Sequence, residues 1–283
     1  MTIIEVSNET LRTLNPKVYT LIDDLENSLK QISDLDRSKW IVMPYEFTNG
    51  KYSLIFDPAR LSNNSAVKKA GKELEINYKN SSEDSLGRKF IGKNNWYNSL
   101  KLNLALGNKT MSSKEFKDSL KLLYQGIQGK IKVYNNSGKQ IDSKFLGNVF
   151  DDLAKVQSPC RTEWLDVDFK IKNEELRINY NHILDSNGNL VPKNSEILDE
   201  KTLMRNRSLG INLENYINSN YTKQGLPTKN VKNGSLYYQS PKSDKNSVAM
   251  FHADNSKASF FCVGNPFYAI SYIGVRSCKA EFA

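Results

Sequence analysis

The chain has 283 residues, of which 39% are hydrophobic and 25% charged, a balance that excludes wholesale disorder and calls for a packed core. Lys and Arg number 40 against 31 Asp and Glu, a formal charge of +9, but the densest basic pieces, residues 66–72 and 205–208, are short and sit in no nucleic-acid-binding context, so no specific nucleic acid partner is expected. No apolar run is long enough to span a membrane and the start has no basic region followed by an apolar stretch, so neither a membrane span nor a signal peptide is expected.

Ser7 or Asn8 can cap a first helix, with Leu11, Leu14, Val18, Leu21, Ile22, Leu25, Leu29 and Ile32 at helical spacing and Pro16 near its start. Two apolar runs within residues 40–58 flank Asn49-Gly50, a hairpin signal. From residue 63 to 84 the composition turns rich in Ser, Asn, Lys and Glu, with one strand-like run at residues 74–78; this shift marks a boundary between residues 1–84, a helix-plus-hairpin module, and residues 85–283.

An amphipathic helix over residues 96–106 should stop at Gly107, and a second should start from Ser112 or Ser113 with Glu115 in its first turn. A third is expected over residues 143–156, capped by Asp142 or Ser143. Pro159 breaks the pattern, and the period then becomes two. Leu165, Val167, Phe169 and Ile171 alternate with Asp166, Asp168, Lys170 and Lys172, which predicts one buried and one wet face. Residues 176–184 are the hairpin partner, with His182 a satisfied polar residue near the strand end. Asp185, Asn187 and Asn189 superficially suggest a calcium loop, but the glycine is misplaced and no glutamate closes it, so a turn at Asn187-Gly188 is expected. A short helix follows within residues 209–220. Next comes a loop-rich stretch with a strand at residues 235–240, and such long irregular stretches tend to be functional surfaces.

Cys160, Cys262 and Cys278 are too few for a disulfide framework or a four-ligand zinc site. Cys262 fits a buried small hydrophobe, and whether it pairs with Cys278 is left open. Residues 258–263 alternate, sending Ala258, Phe260 and Cys262 to one face and Ser259, Phe261 and Val263 to the other. The second set mixes sizes and polarities and runs on into Phe267, Tyr268, Ala269 and Ile270. Such a run is either the core of a closing strand pair or an exposed interaction patch. Exposure of Phe261, Phe267, Tyr268 and Tyr272 decides between the two.

Residues 96–100 with 107–123, carrying the pair Glu115-Phe116, resemble the paired-helix opening of C-type lectin folds of the formylglycine-generating-enzyme type, and residues 161–169 resemble the first long strand of that fold. Residues 246–276 are similar to the C-terminal variable region of archaeal diversity-generating-retroelement variable proteins, keeping "NSVA", Phe251, Ala253, Ala258, Cys262, Asn265-Pro266 and "GVR" at 274–276. The likeness covers roughly residues 90–276.

It implies an α+β chain with a C-type lectin fold, a loop-rich ligand-binding face and a hypervariable region at about residues 246–276. The implied function is non-enzymatic binding of varied macromolecular targets, protein above all, without cofactor or metal, in the cytoplasm or on a virus particle. The positions implied to be diversified by adenine-directed mutagenesis are Met250, His252, Lys257, Ser259, Phe261, Val263, Gly264, Phe267, Tyr268, Ala269, Ile270 and Tyr272. Phe251, Ala253, Ala258, Phe260, Cys262, Pro266, Ser271, Ile273, Gly274 and Val275 are implied scaffold. Two alternatives follow from the same fold: an oxidase of the formylglycine-generating type, which needs two neighbouring reactive cysteines, and a calcium-dependent sugar-binding lectin, whose Glu-Pro-Asn motif is absent.

Overall fold

Helix starts follow the capping chemistry of the chain. The computed structural model describes residues 36–48, 50, 52–83, 87–156 and 158–281; the helix expected over residues 7–32 lies outside them. Helix α1 (Ser65–Glu73) is capped by Asn64, α2 (Trp96–Ala105) by Asn95, and α4 (Ser143–Ala154) by Asp142. Helix α3 (Ser113–Ile127) has a full capping box, with Ser112 accepting from the Glu115 amide and Glu115 reaching back to the Ser112 amide. Gly107 ends α2 at φ +67°, a conformation that favours glycine. A short α5 (Leu213–Asn218) completes the helices among the described residues. None is long and apolar enough to cross a membrane.

Helix α1 occupies the stretch that composition marks as a boundary. Its small face, Val67, Ala70 and Gly71, is buried, and a Cβ on Gly71 would lie 2.7 Å from the Tyr78 ring. The expected strand at residues 74–78 does not form, because Leu74 caps α1 and Glu75 turns the chain at φ +53°. The strand begins instead at β3 (Lys79–Glu83), paired with β4 (Lys89–Gly92).

The remaining strands are β1 (Ile41–Met43), β2 (Ser53–Arg60), β5 (Arg161–Lys172), β6 (Glu175–Leu184), β7 (Leu190–Ile197), β8 (Arg207–Ile211), β9 (Leu236–Gln239), β10 (Ser247–Ala253), β11 (Ala258–Gly264) and β12 (Ile273–Glu281). They form one mixed ten-stranded sheet in the order β1-β2-β12-β5-β10-β11-β9-β8, with β6 on β5 and β7 on β6. Five helices and this sheet make an α+β architecture. Strands β1 and β2 pair antiparallel, with a 3-10 turn over Tyr45–Thr48 between them; Asn49 of the expected Asn49-Gly50 turn lies outside the described residues. Because β2 pairs with the C-terminal β12, the compact unit begins at Arg37, and the boundary expected near residue 84 does not divide it.

Strand β5 is the hub. Strand β10 runs along one edge, from Arg161↔Ala253 to Phe169↔Ser247. The other edge is shared by β12, in parallel at Thr162 to Trp164, and β6, antiparallel from Val167 onward. At the fork between them, the Leu165 carbonyl accepts from the Trp96 indole at 2.7 Å and the Asp166 amide donates to the Met111 carbonyl at 2.9 Å, so neither backbone group is orphaned.

The expected wet face of β5 is buried only in its first part: Lys170 is half-buried and Lys172 exposed, and Ile171, expected inside, is exposed as well. Glu163, Asp166 and Asp168 are all enclosed, because a central strand with elements on both faces has no solvent side. Asp166 is held by His182, whose backbone N–H donates to Oδ2 at 3.0 Å and whose ring bonds Oδ1; Trp96 packs edge-on against that ring. His182 is therefore the satisfied strand-end residue expected. Glu163 meets Arg276 of β12 at 3.1 Å, and Asp152 of α4 meets Arg60 of β2 at 2.5 Å, tying three strands and a helix into one buried ion network. Apolar side chains of α3 and α4, including Phe116, Leu120, Leu146 and Val149, pack with Phe251 and Phe260 in the core.

Candidate functional site

Strands β10 and β11 and the loop at residues 265–272 carry the twelve candidate positions. The alternation expected across residues 258–263 is present from Phe260 to Val263. Phe251, Ala253, Ala258, Phe260 and Cys262 point into the core, whereas Met250, His252, Phe261 and Val263 are half-exposed on the opposite face. Register pairs Met250 with Phe261 and His252 with Ser259. In the loop, Phe267 is 70% and Tyr268 52% exposed. Lys257 and Ala269 are exposed too, and Ile270 and Tyr272 are half-exposed. None of the four deciding aromatics is buried.

Two candidate positions depart from the expectation. Ser259 is 0% exposed, and its hydroxyl has no hydrogen-bond partner. Gly264 is buried, and a Cβ there would lie 2.9 Å from the Val248 carbonyl and 3.4 Å from the Trp164 ring, so close backbone approach excludes a side chain. Both belong to the scaffold. Conversely, Ser271, expected in the scaffold, is exposed. Gly274 stays with the scaffold, its Cβ position lying 2.7 Å from Phe90.

The loop is fixed through its backbone. The carbonyl of Pro266 accepts from the Trp96 amide at 3.0 Å, that of Ile270 from Lys93 at 3.0 Å, and that of Tyr272 from Thr162 at 2.9 Å. The Asn265 side chain accepts from the Phe267 amide at 3.0 Å, an Asx turn that starts the loop. Carbonyl anchors do not depend on which side chain the residue carries. The path of residues 266–272 is thus held by groups that survive substitution at Phe267, Tyr268 and Ala269.

Aromatic contacts run across the surface. Phe267 lies 5.4 Å from Tyr97, His252 lies 5.8 Å from Phe261 and 6.2 Å from Tyr272, and Phe261 lies 6.3 Å from Tyr237. The Lys257 ammonium sits 4.7 Å from the Tyr237 ring centre. Sequence reasoning missed Tyr97 and Tyr237. Tyr237 had a signal, since of two adjacent strand tyrosines one must face away from the core, and Tyr238 is the buried one.

His252 is more tightly held than its neighbours. Its Nδ1 lies 2.7 Å from the Thr162 hydroxyl, its Nε2 3.3 Å from Asp254, and the Cys160 sulfur is 3.7 Å away. Burial, with the Asp254 charge, pushes the Cys160 thiol up to about 11, the reverse of what a thiolate nucleophile requires. Cys262 and Cys278 are free and buried, and burial raises both thiols. Strands β5 and β10 lie between their strands, a lateral separation of roughly 14 Å at about 4.8 Å per strand, beyond disulfide reach.

Asp185 spends its carboxylate on the amides of Asn187 and Asn189, and Gly188 has φ +73°, so this segment is a closed turn. Among the described residues no group of three or more His, Cys, Asp or Glu side chains is arranged to hold a metal ion. Comparison with protein-family models, curated proteins and solved structures finds no match to this chain.

Proposed function

We propose that this chain is a non-enzymatic ligand-binding protein with a C-type lectin fold, whose outward side chains between residues 246 and 276 are diversified by a retroelement to bind varied protein targets. The observation that carries the reading is the separation of roles in that segment. Buried residues and backbone carbonyls hold its path, while Met250, His252, Lys257, Phe261, Val263, Phe267, Tyr268, Ala269, Ile270 and Tyr272 project from it. Such a surface can change its letters without changing its fold. Rigid aromatics among small residues also supply contact area at low entropic cost, as in evolved paratopes.

The fold assignment draws support from the antiparallel pairing of β2 with the C-terminal β12, and from the long β5 followed by a loop-rich excursion that ends in β10 and β11. The raised thiols and the distance between Cys262 and Cys278 argue against the oxidase alternative.

The flanking DNA tests the proposal. A reverse transcriptase gene is expected nearby, with a near-copy of the codons for residues 246–276 that carries adenines where the projecting side chains are encoded. Met250 and Lys257 cannot arise from an Asn codon ending in a pyrimidine, so the copy should differ in type at those two codons or leave them unchanged. A flank with neither gene nor copy would contradict the proposal.

A further inference from the structure

A cavity of about 350 Å³ opens beside the first turn of α3, and none of its lining residues falls between 246 and 276. Its volume lies at the small end of ligand pockets, about 300–1,000 Å³. Five stretches distant in sequence converge on it, at Thr48 and Tyr52 and around residues 112–118, 180–181, 194–196 and 223–224.

The floor is organised in advance. Buried Glu115 accepts from the Tyr52 hydroxyl at 2.6 Å, from Lys109 at 2.5 Å and from the Ser112 amide at 2.9 Å. Lys109 also donates to the Asn181 side chain at 2.8 Å. Asn181 sits in the middle of β6 at φ +54°, a left-handed conformation that a strand residue adopts only when its surroundings hold it there.

The rim carries two ion pairs. Lys114 meets Asp118 at 2.7 Å, and Lys223 meets Glu196 at 3.4 Å, with side-chain exposures of 68% for Lys223 and 34% for Glu196. The Tyr180 hydroxyl and the Gln224 amide also donate to Glu196, fixing the carboxylate, while Lys223 is exposed. Each lining carboxylate thus already has an ammonium partner. A ligand of one charge sign would leave one partner unmatched. A ligand bearing both signs exchanges partners with the more exposed Lys223–Glu196 pair, which is weak, while buried Asp118 keeps Lys117 as a partner when Lys114 turns to the ligand.

We propose that this cavity binds a small zwitterion, an α-amino acid or dipeptide, with its ammonium at Glu196 and its carboxylate toward Lys114 and Lys223. The test is calorimetric titration of the full chain with alanyl-alanine, against acetate, ethylammonium and glucose as probes carrying one charge or none. The dipeptide should bind saturably and more tightly than all three. Glu196→Gln and Lys223→Met should each weaken it roughly ten-fold, the scale of one hydrogen-bonded charge partner, and Phe267→Ala should leave it unchanged. Lys223→Met removes only an exposed side chain, so it decides the matter if Glu196→Gln fails to fold. Dipeptide binding no tighter than that of acetate, ethylammonium or glucose, or unaffected by Lys223→Met, would overturn the proposal. Loss of dipeptide binding on Phe267→Ala would place it on the other surface and overturn it as well.

Discussion

Replacing Phe251 and Phe267 by alanine, one at a time, separates scaffold from surface. Phe251 is 2% exposed and packs against Phe116 of α3 at 5.0 Å and Phe260 of β11 at 5.6 Å between ring centres. Its truncation opens a cavity between helix and sheet and should cost about 3–5 kcal/mol. Phe267 is 70% exposed, so the remaining third of a side chain of roughly 200 Å² is worth at most about 1.5 kcal/mol at ~25 cal/mol per Å². The extended-chain reference inflates that figure by roughly 10–40%, which brings it near 1 kcal/mol. For a unit of this size 1 kcal/mol moves the melting temperature by about 2–4 °C. Thermal melts followed by circular dichroism should therefore show a fall of roughly 6–20 °C for Phe251→Ala and about 2–4 °C for Phe267→Ala. Equal falls, or a larger one for Phe267→Ala, would refute the division.

Four further outcomes are expected. Gly264→Ala should destabilise by about 1–3 kcal/mol through overpacking against the Val248 carbonyl, whereas Ser259→Ala, which removes a buried hydroxyl without a partner, should be close to neutral in denaturant titrations. Glu163→Gln should cost about 3–5 kcal/mol, because Arg276 and Arg60 would then both lose a buried carboxylate partner while Asp152 already faces Arg161 as well; a melt unchanged within error would count against the network. Burial lowers Lys117 to about 8, with Asp118 partly offsetting the shift. The unfolded chain then binds the extra proton between that value and about 10.4, so the penalty is full below pH 8 and fades as pH rises. The advantage of Lys117→Met over the parent should shrink across that window, and an advantage that grows instead would reverse the sign.

Local signals were legible because their causes are local. Ser112 with Glu115, Asp142, and the glycine at 107 each act within one turn of their own helix, and all three helices begin or end where those residues stand. The strand expected at residues 74–78 failed locally, at the Leu74 cap and the Glu75 turn; the other failures depend on distant partners. The alternation of β5 could not reveal that His182, Trp96 and Arg276 would cover its acidic positions. Pairing of β2 with β12 joins segments more than two hundred residues apart, so composition alone put a boundary inside one sheet. At the candidate site, strand period correctly separated Phe260 from Phe261 but placed Ser259 outward, where it is buried. Gly264 counted as outward only through the family resemblance; its place is decided by the close approach of the Val248 carbonyl.

The central claim is that the projecting residues can change without loss of the fold. The direct measurement is the folded fraction, scored by protease resistance, of two libraries. One randomises Phe261, Val263, Phe267, Tyr268, Ala269 and Tyr272; the other randomises Phe251, Ala253, Ala258, Phe260, Cys262 and Gly264. The account predicts that most members of the first library resist protease as the parent does and that few of the second do. Comparable losses in both libraries would contradict it.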